Sequence, residues 1–256
     1  MGMQIAVLIL TKNEEKNIVD CISSVSFADE ILVIDSGSTD HTQLYARQAG
    51  AKVFIHPMDE HGFAGQRNFA LTQTKADWVF YLDADERVSE ALADEIKAVT
   101  RSAADAVYEI KRISVVMGQQ MHYGVYRPDY IARLFPRTAV EWTGVVHEQA
   151  EVKLPVQRLN SPALHYSDTS WEQYLAKLNQ YTTLMADKMQ QQGKHTGLLK
   201  MQLHAWHAFW QMYIIKQGFR DGRQGFLLCL YHYFYTLTKY VKLYYKKSER
   251  NMGDNI

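Results

Sequence analysis

Hydrophobic and polar positions alternate between two periods along the first third of the chain. Gln4–Leu10 is an apolar run, the pattern of a parallel strand buried on both faces. From Asn13 to Val25 the pattern turns helical, with Ile18, Ile22 and Val25 recurring at spacings of four and three. A second short strand is predicted over Glu30–Ile34, then a helix carrying Leu44 and Ala49 that stops at Gly50. Ala51–Ile55 reads as a third strand, Gly62–Lys75 as a helix and Trp78–Leu82 as a fourth strand, with a further helix starting near Ser89. Strands and helices at such short intervals predict right-handed βαβ units around a parallel sheet. Beyond residue 105 the pattern changes. Ala106–Val116 and Tyr130–Phe135 look like strands joined by loops with Gly and Pro, and from Trp171 onward the chain is helical.

The predicted strands end in polar clusters: Thr11-Lys12-Asn13-Glu14, Asp35-Ser36-Gly37-Ser38 and Asp83-Ala84-Asp85. Open parallel sheets bind ligands at that edge. The chain has neither a GxGxxG turn after a strand nor a GxxxxGK[ST] loop, which argues against dinucleotide oxidoreductases and P-loop NTPases. "DSGSTD" has one glycine among hydroxyls and carboxylates, and suits hydrogen bonding to a sugar or base; it also reads as a helix N-terminus capped by Ser38, Thr39 or Asp40. Asp83 and Asp85 lie two apart in extended backbone and project to the same side, so they can offer hard oxygens to Mg2+ or Mn2+. The competing reading is a solvated turn capping the helix that begins near Ser89. Glu86 is expected to solvate the turn and favour that helix's N-terminus.

Composition adds an asymmetry. The 256 residues carry no formal net charge, but residues 171–256 hold 12 Lys and Arg against 5 Asp and Glu, together with 16 of the 31 aromatics. An acidic first part and a basic, aromatic second part imply two environments. Cys21 and Cys229 have neither metal-ligand spacing nor a disulfide framework, which fits a reducing compartment. The apolar N-terminus lacks a basic region and a cleavage site, so it reads as a strand and not as a signal peptide.

"LILTKNEE", "VIDSGSTDHT", "GQRNFAL" and "YLDADE", in this order, resemble the family 2 glycosyltransferases with a GT-A fold over about the first 150 residues. The resemblance implies an α/β, Rossmann-like domain over 1–168, with a donor-binding half (1–105) and an acceptor half (106–168), followed by a helical region over 169–256. It implies a metal-dependent inverting transferase. Thr11, Asn13 and Glu14 would line the nucleotide pocket, Asp35 would bind the uracil or ribose edge with Ser38 nearby, and Arg67 and Asn68 would lie under the donor and its phosphates. Asp83 would face the ribose or sugar, and Asp85 would ligate the metal.

An inverting transfer needs a base beside the attacking hydroxyl. No Glu-Asp pair of the family's kind is present. "GVVHE" offers Glu148, with Glu141 and Asp129 as alternatives. His165 is a candidate metal or diphosphate contact, His147 a phosphate or acceptor contact. Arg127 and Arg133 are candidate forks for a diphosphate or an anionic acceptor, or else structural ion pairs.

In the tail, "YLAKLNQYTTLMADKM" followed by "GFRDGRQGFLLCLYHYFYTLTKYVKLYYKK" resembles the C-terminal part of the lipopolysaccharide inner-core glucosyltransferases of Gram-negative bacteria. That resemblance implies UDP-glucose as donor and a heptose of a lipid-linked glycan as acceptor, at the cytoplasmic face of the inner membrane. No nucleic-acid partner is expected. Gly225–Thr238 and Met201–Ile215 are uncharged runs of 14 and 15 residues, short of the ~20 that span a bilayer. His232, Thr236, Lys239, Lys242 and Lys246 form one polar stripe, as on an amphipathic helix lying in an anionic membrane surface; a soluble hairpin is the alternative. Two rival functions remain at this level. One is a nucleotidyltransferase, which usually has a glycine-rich loop after the first strand. The other is a non-catalytic partner that docks through its tail.

Overall fold

The computed structural model describes residues 3–102, 105–144, 148–168 and 170–253. The chain divides into two compact units, Met1–Ile113 with Asp129–Tyr166, and Ser114–Pro128 with Ser167–Ile256. The excursion at 114–128 therefore groups with the helical region, a grouping that local periodicity cannot express.

The first unit is built on a mixed sheet. Its parallel part comprises β1 (Ile5–Thr11), β2 (Glu30–Asp35), β3 (Lys52–Ile55) and β4 (Trp78–Asp83), ordered β3-β2-β1-β4. The helices α1 (Ile18–Ser24), α2 (Thr42–Gln48) and α3 (Gly62–Thr72) connect these strands. A short β5 (Glu86–Val88) follows, then α4 (Glu90–Arg101), whose N-terminus Ser89 caps by accepting from the Leu92 amide at 3.2 Å. Next come β6 (Val107–Val116), then β7 (Gln119–Gln120) in the excursion that groups with the second unit, and β8 (Asp129–Pro136), β9 (Glu141–Thr143), β10 (Gln149–Glu151) and β11 (Val156–Asp168). The sheet continues antiparallel beyond β4 in the order β8-β6-β11-β5, while β9 and β10 form a separate hairpin.

The apolar run in β1 has a direct cause. Ile5, Val7 and Ile9 pack with Phe80, Leu82 and the helices α1 and α4 on one face. Ala6, Leu8 and Leu10 pack with Val79, Tyr81, α3 and Trp142 on the other. With both faces enclosed, alternation disappears and every position is apolar. Each fully buried Leu or Ile contributes about 2–3 kcal/mol of apolar transfer free energy.

The second unit holds α5 (Trp171–Gln191), α6 (Leu198–Trp210), a π-helical turn (Gln211–Ile215) and the long α7 (Gly222–Gly253). Asp221, buried before α7, accepts from the amides of His122 (3.1 Å) and Tyr123 (2.8 Å), and its carbonyl accepts from Gln119 Nε2 (3.1 Å). These bonds attach the 119–123 loop to the helices. Gly225 is required by close approach, because a Cβ there would run into the Gly218 carbonyl oxygen.

The polar stripe of α7 does not face outward as the membrane reading expected. Lys242 Nζ donates to the Asn179 carbonyl and side chain and to the hydroxyls of Thr182 and Thr183 at 2.7–2.9 Å. Lys246 pairs with Asp187 at 2.6 Å, and Thr236 is buried. The stripe is the seam against α5. A four-residue repeat defines a face, but what that face meets is set by the helix packed on it. Among the described residues no helix is long and apolar enough to cross a membrane.

Candidate active site

The carboxyl ends of β1 and β4 open onto a cavity of about 420 Å³ in the first unit. It is lined by Thr11, Lys12 and Glu14 from the β1 end, Asp83 and Asp85 from the β4 end, Arg67 from α3, Glu148, and His165 from β11. A larger cavity of about 830 Å³ lies at the opposite strand ends, beside Gln4, Ile5 and Asp77. The smaller one is the candidate site, because it lies at the carboxyl edge and gathers the ionisable groups.

The turn after β4 organises the floor. Glu86 is 0% exposed, and its carboxylate accepts from the Asp83 amide (3.1 Å) and from Arg133 Nη2 (2.9 Å), with Arg112 Nη1 at 3.5 Å. The expectation that Glu86 solvates the turn is overturned. β5 pairs with β11, His165 opposite Glu86, and this pairing draws the residue inside. Arg133 is 3% exposed and absent from the cavity lining; Nη2 reaches Asp83 at 2.5 Å as well as Glu86. Its expected role as a phosphate fork gives way to the structural ion pair that was its alternative. Burial opposes ionisation of both carboxylates. At Asp83 the positive charges of Arg133 and Arg67 outweigh burial and draw the pKa down. At Glu86 burial prevails and the pKa is raised.

Arg67 is enclosed with its guanidinium carbon 4.6 Å from the Trp142 ring centroid and 5.5 Å from that of Tyr81. Its Nη2 donates to Glu148 at 3.3 Å and lies 3.9 Å from Asp83. Nε and Nη1 are buried without a hydrogen-bond partner. Burial, with Arg133 nearby, lowers its pKa. Arg67 as a residue lines the cavity, and a guanidinium there suits an anionic ligand. Asn68, the next residue, is directed away from the cavity. Both ends of its amide bond the Trp142 backbone (2.8 and 2.9 Å), so it clamps α3 to β9 instead of touching a donor.

Asp35 and Ser38 are likewise turned inward. Asp35 is 0% exposed and accepts from the Gly37 and Ser38 amides, from the Ser38 hydroxyl and from Gln43 Nε2. These bonds occupy the carboxylate that the uracil or ribose reading requires. Ser38 in turn accepts from the Asn13 amide at 2.8 Å, while Asn13, in the left-handed region at φ 57°, accepts from the Thr39 amide at 2.8 Å. The two loops brace each other at the edge. Glu14, whose pKa burial raises, and the unpartnered Thr11 hydroxyl line the cavity.

His165 Nε2 lies 3.2 Å from Asp85 Oδ2, and the Tyr166 amide donates to the Asp85 carbonyl at 2.8 Å. Burial works against an imidazolium at His165, but the hydrogen bond and charge of Asp85 overcome it and raise the pKa. Among the described residues no three His, Cys, Asp or Glu side chains gather as a metal cluster. A carboxylate beside an imidazole at a cavity wall still fits Mg2+ or Mn2+, which commonly completes its shell with waters and substrate phosphates.

Of the three candidate bases, Glu148 lines the cavity. Asp129 is held by Arg112 (3.2 and 2.9 Å), and Glu141 is exposed on β9. Arg127 belongs to the second unit and is exposed. His147 lies outside the described residues. Sequence reasoning missed the Arg112–Glu86–Arg133–Asp83 network. A signal was present in an Arg at alternate positions of a strand with apolar neighbours, but its partners lie about 20–50 residues away.

Comparison with known proteins agrees with this geometry. The family described as "Glycosyl transferase family 2" matches residues 6–148. An uncharacterized glycosyltransferase of Rickettsia bellii is 32% identical, covering 88% of this chain and 80% of that protein. The lipopolysaccharide core biosynthesis glycosyltransferase LpsC of Rhizobium meliloti is 27% identical over 98% of this chain and 97% of that protein. Among solved structures, a Mycobacterium tuberculosis glucosyl-3-phosphoglycerate synthase in complex with Mn2+, uridine diphosphate and glucosyl-3-phosphoglycerate is 27% identical. That match covers 46% of this chain and 45% of the other, less than half of either, with a TM-score of 0.37. The family match takes in the β1, β4 and Glu148 walls of the cavity, and its chemistry is glycosyl transfer, not nucleotidyl transfer or passive docking. With a mixed sheet followed by helices, the chain belongs to glycosyltransferase family 2.

Proposed function

We propose that the protein is an inverting hexosyltransferase. It moves glucose from UDP-glucose to a hydroxyl of a lipid-linked glycan, a heptose of the lipopolysaccharide inner core, at the cytoplasmic face of the inner membrane. One observation carries the reading: Asp85, His165, Arg67 and Glu148 converge on a single cavity at the carboxyl edge of the sheet. The likeness to LpsC, whose name specifies lipopolysaccharide core biosynthesis, supports the acceptor class.

In this reading the Arg67 guanidinium, which lines the cavity, binds the donor's phosphates. Thr11 and Glu14 bound the nucleotide end, and Asp83 faces the sugar, held in place by Arg133. Asp85 and His165 would hold a divalent cation, whose positive charge would stabilise the departing diphosphate. Glu148 takes the proton of the acceptor hydroxyl as that oxygen attacks the anomeric carbon opposite the leaving group. The bond from that carbon to the diphosphate oxygen breaks, UDP leaves with the electron pair, and the configuration inverts. Arg67, 3.3 Å from Glu148, orients the base carboxylate before the acceptor arrives.

The deciding experiment assays UDP release from a panel of nucleotide sugars, with lipopolysaccharide truncated at successive core positions as acceptors. UDP-glucose with a heptose-terminated core is expected to give transfer. Glu148→Gln should lower kcat by about 10²–10⁴, and Asp85→Asn should abolish transfer in a folded protein. Full activity of Asp85→Asn would remove the metal assignment, and full activity of Glu148→Gln would move the base elsewhere.

A further inference from the structure

The second unit buries one face of α6 and leaves another apolar face of it exposed. In α6, Met201, Ala205, Ala208 and Phe209 are buried. The outward stripe is Leu199, Leu203, Trp206 and Trp210, at spacings of four, three and four, and it runs on through Ile214 and Ile215 of the π turn. Leu199 is 74% exposed and Ile215 is 73% exposed, values that single surface leucines reach but a continuous stripe rarely does. Phe219, Phe226 and Leu227, around the start of α7, are also exposed.

The charge around this stripe is of one sign. From Lys188 to Arg220 the sequence has no Asp or Glu, yet it carries Lys188, Lys194, Lys200, Lys216 and Arg220. All but the half-buried Lys216 are exposed, and they precede, adjoin or follow the stripe along the chain. An apolar stripe with tryptophans, bordered by cations and lacking carboxylates, complements an anionic bilayer. The leucines and indoles enter the acyl boundary while the amines reach phosphates. α6 has 13 residues, too few for a span, so the contact is in-plane.

We infer that the α6–π-turn stripe, Leu199 to Ile215, is the membrane-binding face of this protein, and that its occupant is the surface of an anionic lipid bilayer. The inference deepens the membrane location given above by naming the surface, and it replaces the α7 polar stripe, which is internal. It does not depend on the donor or acceptor assigned there.

Full-length protein is mixed with vesicles of phosphatidylcholine alone, or of phosphatidylcholine and phosphatidylglycerol in equal parts, and binding is read by flotation. Wild type is expected to float with the phosphatidylglycerol vesicles and to do so less in high salt. The double substitution Leu199→Glu/Leu203→Glu should weaken binding at least roughly tenfold, with unchanged circular dichroism because both side chains are exposed. Lys194→Gln/Lys200→Gln should weaken it less, and on anionic vesicles alone. No wild-type flotation with either vesicle, or equal binding by the Leu double variant, overturns the inference. So does a Leu-dependent dimer in light scattering that persists with vesicles present and leaves wild type unbound, since a second copy would then be the occupant. Release of UDP from UDP-glucose in water, without vesicles, is measured in parallel. Its loss would count against the donor reading and not against this surface.

Discussion

In the sheet unit, Leu8, Ile9 and Phe80 are enclosed, and ionisable residues collect at one strand edge. In the helical unit, Lys242, Thr182 and Thr236 lie between α5 and α7, whereas Leu199, Leu203 and Trp210 face outward. The sheet tolerates an apolar interior because β1 is flanked on both edges by paired strands, β2 and β4, leaving side chains free to exclude water on both faces. The hairpin instead joins its helices through a lysine with four acceptors, an arrangement that fixes register more than it adds stability. Burial alone therefore does not identify a core.

Substitutions can break this contrast, and the buried charges should respond most. Arg133→Met should cost about 3–5 kcal/mol, because Glu86 is left buried without its closest cation and the half-buried Asp83 loses the same partner; denaturant unfolding measures it. A cost below that of a surface change would mean the network is not the floor of the site. Leu8→Ala should cost about 2–5 kcal/mol as a core cavity, while Leu203→Ala should stay within about 0.5 kcal/mol as a surface change. Equal costs in the same unfolding assay would erase the distinction between the units. Lys242→Met should cost about 1–3 kcal/mol through stranded acceptors on α5, read as a lower melting temperature.

The smallest effect is a pH dependence. The Thr74 hydroxyl donates to Glu30 at 2.7 Å and, with Lys52, lowers its pKa. A carboxyl depressed on folding contributes stability that is complete above its unfolded pKa and is lost as pH falls through its folded value. Thr74→Val should therefore remove under about 1 kcal/mol at neutral pH, and flatten part of the acid limb of a stability–pH profile. A wild-type limb unchanged by this substitution would assign the acid sensitivity to the buried network.

Much of the sheet unit was legible because its information is local. The runs at β1, β2 and β4 and the helices between them fall within a few residues of the predicted bounds, and Ser89 does cap α4. β5 was missed because three residues carry no period, and its pairing partner, β11, lies near residue 164. Thr11, Glu14, Arg67, Asp83, Asp85, Glu148 and His165 share one cavity. Asp35, Ser38 and Asn68 support its edges, and Arg133 its floor.

Sequence alone thus accounts for the alternation of strands and helices, the edge where polar residues gather, and the family. Backbone propensity, side-chain period and short motifs act over a few residues, so they survive without a fold. What the charges do was settled only by folding. Glu86 became a buried anchor because Arg133 arrives from 47 positions away, Asp85 met His165 across 80, and Lys242 turned inward because α5 supplies its acceptors. A charge takes its role from its partner and its solvent exposure, and neither is written in the neighbouring residues.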